Sequence, residues 1–442
     1  MVNDLRDLMN ESVSAPPHDR LDVTAVVAGG RRRVRRRRAA AIGGTALATA
    51  AVVATGSLVL HGGPSHVTAA GVPRPDAPTL RLSDAVTAQE GADYRLLASH
   101  TNENLNRDNG QYFDGVTDDG LILFRDGPRA DQLWPRFALM DPATGEKDWL
   151  PKVDVGRAQT WPLELGKDRL VVLGAEGGMR THLVVYVFDR VTRQWSRMSW
   201  PDLPAGDGPS GATVGPDGRL YVPVPATQGK PPKGGWPTGP DGEADDADAV
   251  GDTYRLWSAS MTDPSDVRDE RLTVGSFAFT DHSLVWTDST NGHAGLVHVR
   301  DLGTGEEHSF DPHAGDKCNL LSFGATDDRV VMGEYCGTYT GGVRDDRVQI
   351  LDTDGHQVAT VQGSGLDGGL APGHSGVVTM TSHGPDAEGT YVYDLASDRF
   401  LRVSDGVSSW GTGGPAPAGE FLWNTPVNGN RGMAEHVGEL VD

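Results

Sequence analysis

Cysteine is nearly missing, with two in 442 residues. That excludes a disulfide-dense scaffold and a four-cysteine zinc site. Basic charge is short as well. Lys and Arg number 39 against 61 Asp and Glu, a net charge of −22, so the chain is a poor candidate for nucleic-acid binding, which needs a basic face. Hydrophobic residues make up 37% and aromatics 7%, low but enough for a core. Catalytic signatures are also lacking. Gly373-His-Ser-Gly376 fails the Gly-x-Ser-x-Gly pattern and reads as a turn. There is no His-Glu-x-x-His, no Gly-x-x-x-x-Gly-Lys, and no strand followed by Gly-x-Gly-x-x-Gly. No cofactor, metal-ligand or catalytic residue is therefore assigned. What abounds is glycine (58) and proline (28), which favours many turns and short strands over long helices.

The charge is uneven. Residues 1–60 hold nine Arg and five acids, and residues 61–442 hold 30 basic and 56 acidic side chains. Seven arginines lie together: Arg31, Arg32, Arg33, Arg35, Arg36, Arg37 and Arg38. Ala39 to Leu60 then carries no charge. As a helix it would be about 33 Å long, enough for a hydrocarbon core of roughly 30 Å. Arginine flanks stay in the cytoplasm, so the expected arrangement is a cytoplasmic tail (1–38), a transmembrane helix (39–60), a Gly/Pro/Ala/Thr linker (61–78) and an extracytoplasmic domain (79–442). Two other readings stand beside this signal-anchor. One is a cleaved secretory signal with its site at Val67-Thr-Ala69; the other is a buried soluble helix. Residues 1–30 are either a bare tail or a docking peptide for a cytoplasmic regulator.

From residue 79 onward short β-rich runs alternate with turn clusters, and one phrase recurs. It is an apolar strand, an Asp, a tight turn and another strand, as in Ala138-Leu-Met-Asp-Pro-Ala-Thr-Gly145 and Val299-Arg-Asp-Leu-Gly-Thr-Gly305. The Asp positions are 141, 189, 263, 301, 352 and 394, spaced by 48, 74, 38, 51 and 42. The long spacing contains Ala226–Asp252, a Pro/Gly then Asp/Glu-rich insert read as disordered; without those 27 residues it becomes 47. A period of roughly 40–50 with four strands per unit is a propeller signature. Six turns give six blades, each turn joining third to fourth strand. Ser408–Thr412, Gly419–Trp423 and Met433–Val441 then form a seventh blade without an outer strand. Asp93–Ser99, preceded by Thr79–Leu82, would complete it and close the ring. The expected fold is an all-β seven-bladed propeller, with six blades as the alternative.

Cys318 and Cys336 flank the hairpin Asn319–Ala325 and Arg329–Tyr335, with Thr326-Asp-Asp328 as its turn, and should face each other. An oxidising compartment makes a disulfide the leading reading, with two free core thiols as the alternative. Among His293, His298, His308 and His313, His298 should oppose Ser309 and His308 should oppose Val299. The two rings then lie on opposite sheet faces, which speaks against a shared metal. Asp241-Gly-Glu-Ala-Asp-Asp-Ala-Asp248 lacks the spacing of a calcium loop. Trp134, Trp149, Trp161, Trp195, Trp200, Trp257, Trp286, Trp410 and Trp423 sit in or beside strands, where packing between blades is the expected role. Trp236, alone in the insert, is the candidate interaction anchor.

The poly-Arg run, one Ala-rich span and an acidic repeat domain resemble single-pass membrane proteins of high-GC Gram-positive bacteria with an extracytoplasmic WD40-like, TolB-like propeller. Asp141-Pro-Ala-Thr-Gly145 with Trp149 also resembles the quinoprotein-type blade, but the units at Asp189 and Asp301 lack that Trp, so no quinone cofactor is implied. Some members of such membrane families are suspected regulators of extracytoplasmic-function sigma factors. The zinc-binding pattern of His with two Cys found in anti-sigma proteins is missing from residues 1–38. The resulting expectation is a membrane-anchored, non-catalytic module that binds an external protein, peptide or glycan. The alternatives are an anti-sigma-like transducer and a channel-metal lactonase or lyase.

Overall fold

Runs such as Arg169–Gly177 (Arg-Leu-Val-Val-Leu-Gly-Ala-Glu-Gly) and Ser283–Thr287 are rich in β-branched and large apolar residues, which suit a pleated surface packed on both faces. Turns rich in Asp and Gly stop each run. The computed structural model describes residues 78–441 except 108–109, 130–131, 133, 156–159, 178–180, 206–210, 230–250, 313–317, 337–345, 364, 371–374, 385–386 and 409–413. Three strands come first: β1 (Thr79–Arg81), β2 (Val86–Thr87) and β3 (Tyr94–Asn102).

Seven antiparallel sheets follow. The first is β4 (Gln111–Val116), β5 (Ile122–Asp126), β6 (Arg136–Met140) and β7 (Lys147–Trp149). The second is β8 (Trp161–Leu165), β9 (Arg169–Gly177), β10 (Thr181–Asp189) and β11 (Gln194–Ser199). The third is β12 (Thr213–Val214), β13 (Arg219–Thr227), β14 (Thr253–Ser260) and β15 (Val267–Val274). The fourth is β16 (Phe277–Phe279), β17 (Ser283–Thr287), β18 (Val297–Asp301) and β19 (Glu307–Phe310). The fifth is β20 (Cys318–Thr326), β21 (Arg329–Cys336), β22 (Arg347–Asp352) and β23 (Gln357–Gln362). The sixth is β24 (Leu366–Leu370), β25 (Val377–Ser382), β26 (Gly389–Asp394) and β27 (Arg399–Ser404). The seventh holds β28 (Glu420–Val427) and β29 (Gly432–Leu440), completed by β3 in the order β28-β29-β3.

Every neighbouring pair of sheets shares a buried apolar cluster. Leu123 and Leu139 of the first pack with Leu170 and Phe188 of the second. Val171 and Val185 meet Leu220 and Val222 of the third. Tyr221 and Leu256 meet Leu284 and Trp286 of the fourth. Val285 and Val299 meet Val330 and Met332 of the fifth. Val331 and Ile350 meet Met380 and Tyr391 of the sixth. Val377 and Val392 meet Phe421 and Trp423 of the seventh. Ala98 and Val437 meet Phe113 and Phe124 of the first. Seven sheets with seven such interfaces make a closed seven-bladed ring. Backbone bonds between first-to-second-strand turns tie neighbours at one end: Asp118 N to Leu165 O (3.0 Å), Asp281 N to Asp327 O (2.8 Å) and Gly419 N to Ser375 O (2.8 Å).

The expected N-terminal closing strand is β3, antiparallel to β29. The strand expected over Thr79–Leu82 is present as β1, but it belongs to the fifth sheet and not to the closing one, and β2 was not expected. β1 adds parallel to β23, and β2 adds parallel to β27, so the segment covers two outer edges that would otherwise expose unpaired backbone groups.

All six Asp turns join third to fourth strands as expected. Asp141 Oδ1 accepts from Ala143 N (2.8 Å) and Thr144 N (3.0 Å), and Asp301 Oδ1 accepts from Gly303 N (2.9 Å) and Thr304 N (2.6 Å). Gly145 and Gly305 take φ of +70° and +75°, where a Cβ would be strained. Among the described residues no helix is long and apolar enough to cross a membrane; residues 1–77 lie outside them.

Candidate functional site

The two ends of the ring differ. At one end, connections are short and self-capped: 117–121, 166–168, 215–218 and 327–328 between first and second strands, and the six Asp turns between third and fourth. The other end carries the long connections, among them 127–135, 228–252, 288–296 and 337–346 within sheets, and 103–110, 150–160 and 200–212 between sheets. Long connections on a rigid frame are the usual carriers of function.

A polar cluster is built near this end where the ring closes, between β3 and the first sheet. Asp126 ends β5 and is almost fully buried. It accepts from Gln111 Nε2 (3.2 Å), Arg136 Nε (3.2 Å) and Arg129. Burial disfavours its charged form, but the bonds from Arg129, Arg136 and Gln111 outweigh that and hold its pKa below the ordinary carboxylate value. The carboxylate is thus a fixed anion that aligns two guanidinium groups. His100, on β3, bonds through Nε2 to Gln111 Oε1 (3.0 Å) and sets its ring edge-on to Phe124 at 5.1 Å. Burial lowers its pKa, against the Gln111 bond and with the help of nearby Lys147. Deeper in, Arg125 donates to Asp114 Oδ2 (2.7 Å), and Glu435 Oε2 accepts from Phe113 N (2.7 Å). Burial raises the pKa of Asp114.

The outer wall of the cluster is aromatic and cationic. Lys147 and Trp149 are two apart on β7 and so share a face. Lys147 Nζ lies 4.4 Å from the Phe124 ring centre, and the Arg136 guanidinium lies 4.3 Å from that of Trp149. Phe124 and Trp149 are edge-on at 6.2 Å. Trp149 is 40% exposed, Trp134 50% and Trp161 37%. This corrects the expectation that the strand tryptophans all pack between blades. Trp200, Trp286 and Trp423 do, being buried, but Trp149 lies on the short outermost strand, Trp134 in a connection and Trp161 at a strand start.

The residues singled out from sequence fall as follows. Cys318 and Cys336 are direct partners in the β20–β21 register. The turn is the two residues Asp327-Asp328 instead of Thr326–Asp328, and a bulge between Leu320 and Ser322 restores the register that faces the cysteines. His298 opposes Ser309 and His308 opposes Val299, as expected. His298 bonds Asp288 Oδ1 (2.8 Å) and His308 bonds Thr353 O (2.8 Å), so they do not converge. Trp236, Trp410, the 241–248 acidic run, His313 and the arginines 31–38 lie outside the described residues. Among the described residues, Asp352, Asp354 and His356 bring ligand atoms close together. They sit on an Asp turn at the short-connection end, away from the inner strands a channel-metal enzyme would use. Sequence reasoning missed His100, Gln111, Asp126 and Arg136. Their only trace was Trp149, which completes the unit at Asp141.

No family model matches this sequence, and no curated protein matches it. Among solved structures the chain is similar to a prolyl endopeptidase (16% identity, TM-score 0.41), covering 74% of this chain and 43% of that one. It is similar to TolB from Acinetobacter baumannii (17% identity, TM-score 0.30), with 56% of each chain covered. It is similar also to XC5397, a gluconolactonase from Xanthomonas campestris (13% identity, TM-score 0.34), covering 72% and 96%. The chain thus spans less than two thirds of the first two. Enzymes and TolB alike appear among these structures.

Proposed function

We propose that this chain is a non-catalytic binding module, held outside a membrane by residues 39–60 with arginines 31–38 on the cytoplasmic side, and that its long-connection end engages a protein, peptide or glycan. The observation that carries the reading is the asymmetry of the ring. One end is sealed by self-capped turns. The other gathers the long connections, the exposed indoles of Trp134 and Trp161, and the Asp126 cluster. A photo-crosslinking residue placed at Trp134 tests it against one placed at Val191, which is 82% exposed on a short turn of the opposite end. Adducts with envelope material are expected from position 134 and not from 191. Adducts from neither, or from 191 alone, would defeat the reading.

A further inference from the structure

We infer that the face of the first sheet beside β3 binds an anionic sugar chain, one carrying uronate or phosphate groups. The inference rests on the binding reading above and names its ligand class. Three side chains carry it. Lys147, Trp149 and Arg136 form a cation–indole–cation row on one face of the first sheet, over Phe124 as floor.

The indole is held before any ligand arrives. Arg136 covers it from one direction and Phe124 meets it edge-on, yet 40% of the residue stays open. A flat, fixed, half-open indole matches the C–H face of a pyranose and loses little side-chain freedom on binding. Cations stand beside it. Arg136 shares the Asp126 carboxylate with Arg129, and Lys147 points at the Phe124 ring. Asp148, between Lys147 and Trp149, points to the other side of the strand and is taken by Arg193 through two bonds of 2.7 and 2.9 Å. Beyond the end of β3, a cleft is lined by Arg107 and Arg431 with Glu103 and two asparagines, Asn104 and Asn428. Guanidinium groups held in a fixed plane suit carboxylate or phosphate oxygens. An acidic peptide would satisfy the charges but leave the indole without a flat partner, so the sugar is the ligand the row favours.

The test is calorimetric titration of the full chain in detergent with an oligogalacturonate, a neutral cello-oligosaccharide of equal length, a glycan phosphate and a poly-glutamate peptide. Binding of the uronate or the phosphate sugar is expected, weakening as salt rises, with no heat from the neutral sugar. W149A and K147Q should each weaken it about tenfold or more, W149F should recover part of the loss, and R193Q should leave it unchanged. Equal melting curves for K147Q and the parent protein separate lost contact from lost fold. Uronate alone or phosphate alone binding identifies the source of the anion. Binding of the peptide in place of either sugar overturns the inference, as does sugar binding that ignores W149A and K147Q. If no probe binds while the crosslink at Trp134 succeeds, the ligand class is wrong and the module reading stands; if both fail, both fall.

Discussion

Asp301 holds its turn with a single carboxylate oxygen that accepts two backbone N–H groups and the Thr304 hydroxyl. Those bonds favour the ionised form and pull its pKa below the ordinary carboxylate value, the Thr304 N–H first. Asp189 is lowered mainly by the Thr192 N–H, and Asp263 mainly by the Ser265 hydroxyl. A carboxylate depressed in the folded state contributes stability above its unfolded pKa and loses it as pH falls through the folded value. Acid should therefore loosen these turns below about pH 4. D301A should lower the melting temperature at pH 7, while D301N, which keeps an accepting oxygen, should lose less and flatten the acid side of the pH profile. Equal melting for D301A and the parent would remove the cap from the account. A buried side chain makes a larger demand. Phe421 is fully buried at the seam of the sixth and seventh sheets, and F421A should cost about 3–5 kcal/mol in denaturant unfolding. The Asp turns were legible because local chemistry marks them: an apolar strand, an Asp and a tight turn. The exposure of Trp149 was not, because it depends on where the outermost strand ends relative to the next sheet.

Strands and turns carry the second kind of information. The Asp phrase gave the third-to-fourth turn of six sheets because an Asp-capped tight turn is a property of five or six consecutive residues. The cysteine hairpin shows the opposite case. The pairing of Cys318 with Cys336 follows from a two-residue turn plus a bulge near Leu321, and a bulge leaves no spacing signal. The edges that β1 and β2 join also lack one, since the strands pair by backbone hydrogen bonds that carry no side-chain pattern. If residues 79–442 lie outside the membrane as proposed, the two cysteines should form a disulfide. Closing that loop should stabilise the fold by about 3 kcal/mol, read as a lower denaturant midpoint for C318S and for the reduced parent alike. Alkylation of both thiols in the unreduced protein would contradict it.

At the scale of the whole ring, the blade number was legible and the polar cluster at its closure was not. A repeat of near-constant length reports how many sheets there are. The polar cluster joins His100 to Gln111, Asp126 and Arg136, with Lys147 and Trp149 at its outer wall, and only closure of the ring sets β3 beside the first sheet. Closure also concentrates like charge. Glu420 on β28 lies opposite Glu439 on β29, which lies opposite Arg95 on β3. Arg95 bonds Glu439, while Glu420 Oε2 is buried without a hydrogen-bond partner. Burial, and then the charge of Glu439, push the Glu420 pKa up to about 7, with Arg95 opposing. The sign follows from proton counting. Between the unfolded value near 4.5 and about 7 the folded ring binds the extra proton, so stability is fullest below that window and declines as pH rises through it. Protonated Glu420 removes the repulsion across the closing strands; ionised, it loosens the strand pair that latches β3. Glu420→Gln should therefore raise the melting temperature at pH 8, change little at pH 4, and flatten the profile between them. A parent protein whose melting temperature does not fall from pH 4.5 to pH 8 relative to E420Q would show that the closing sheet accommodates both charges, and that the ring is latched by its apolar seam alone.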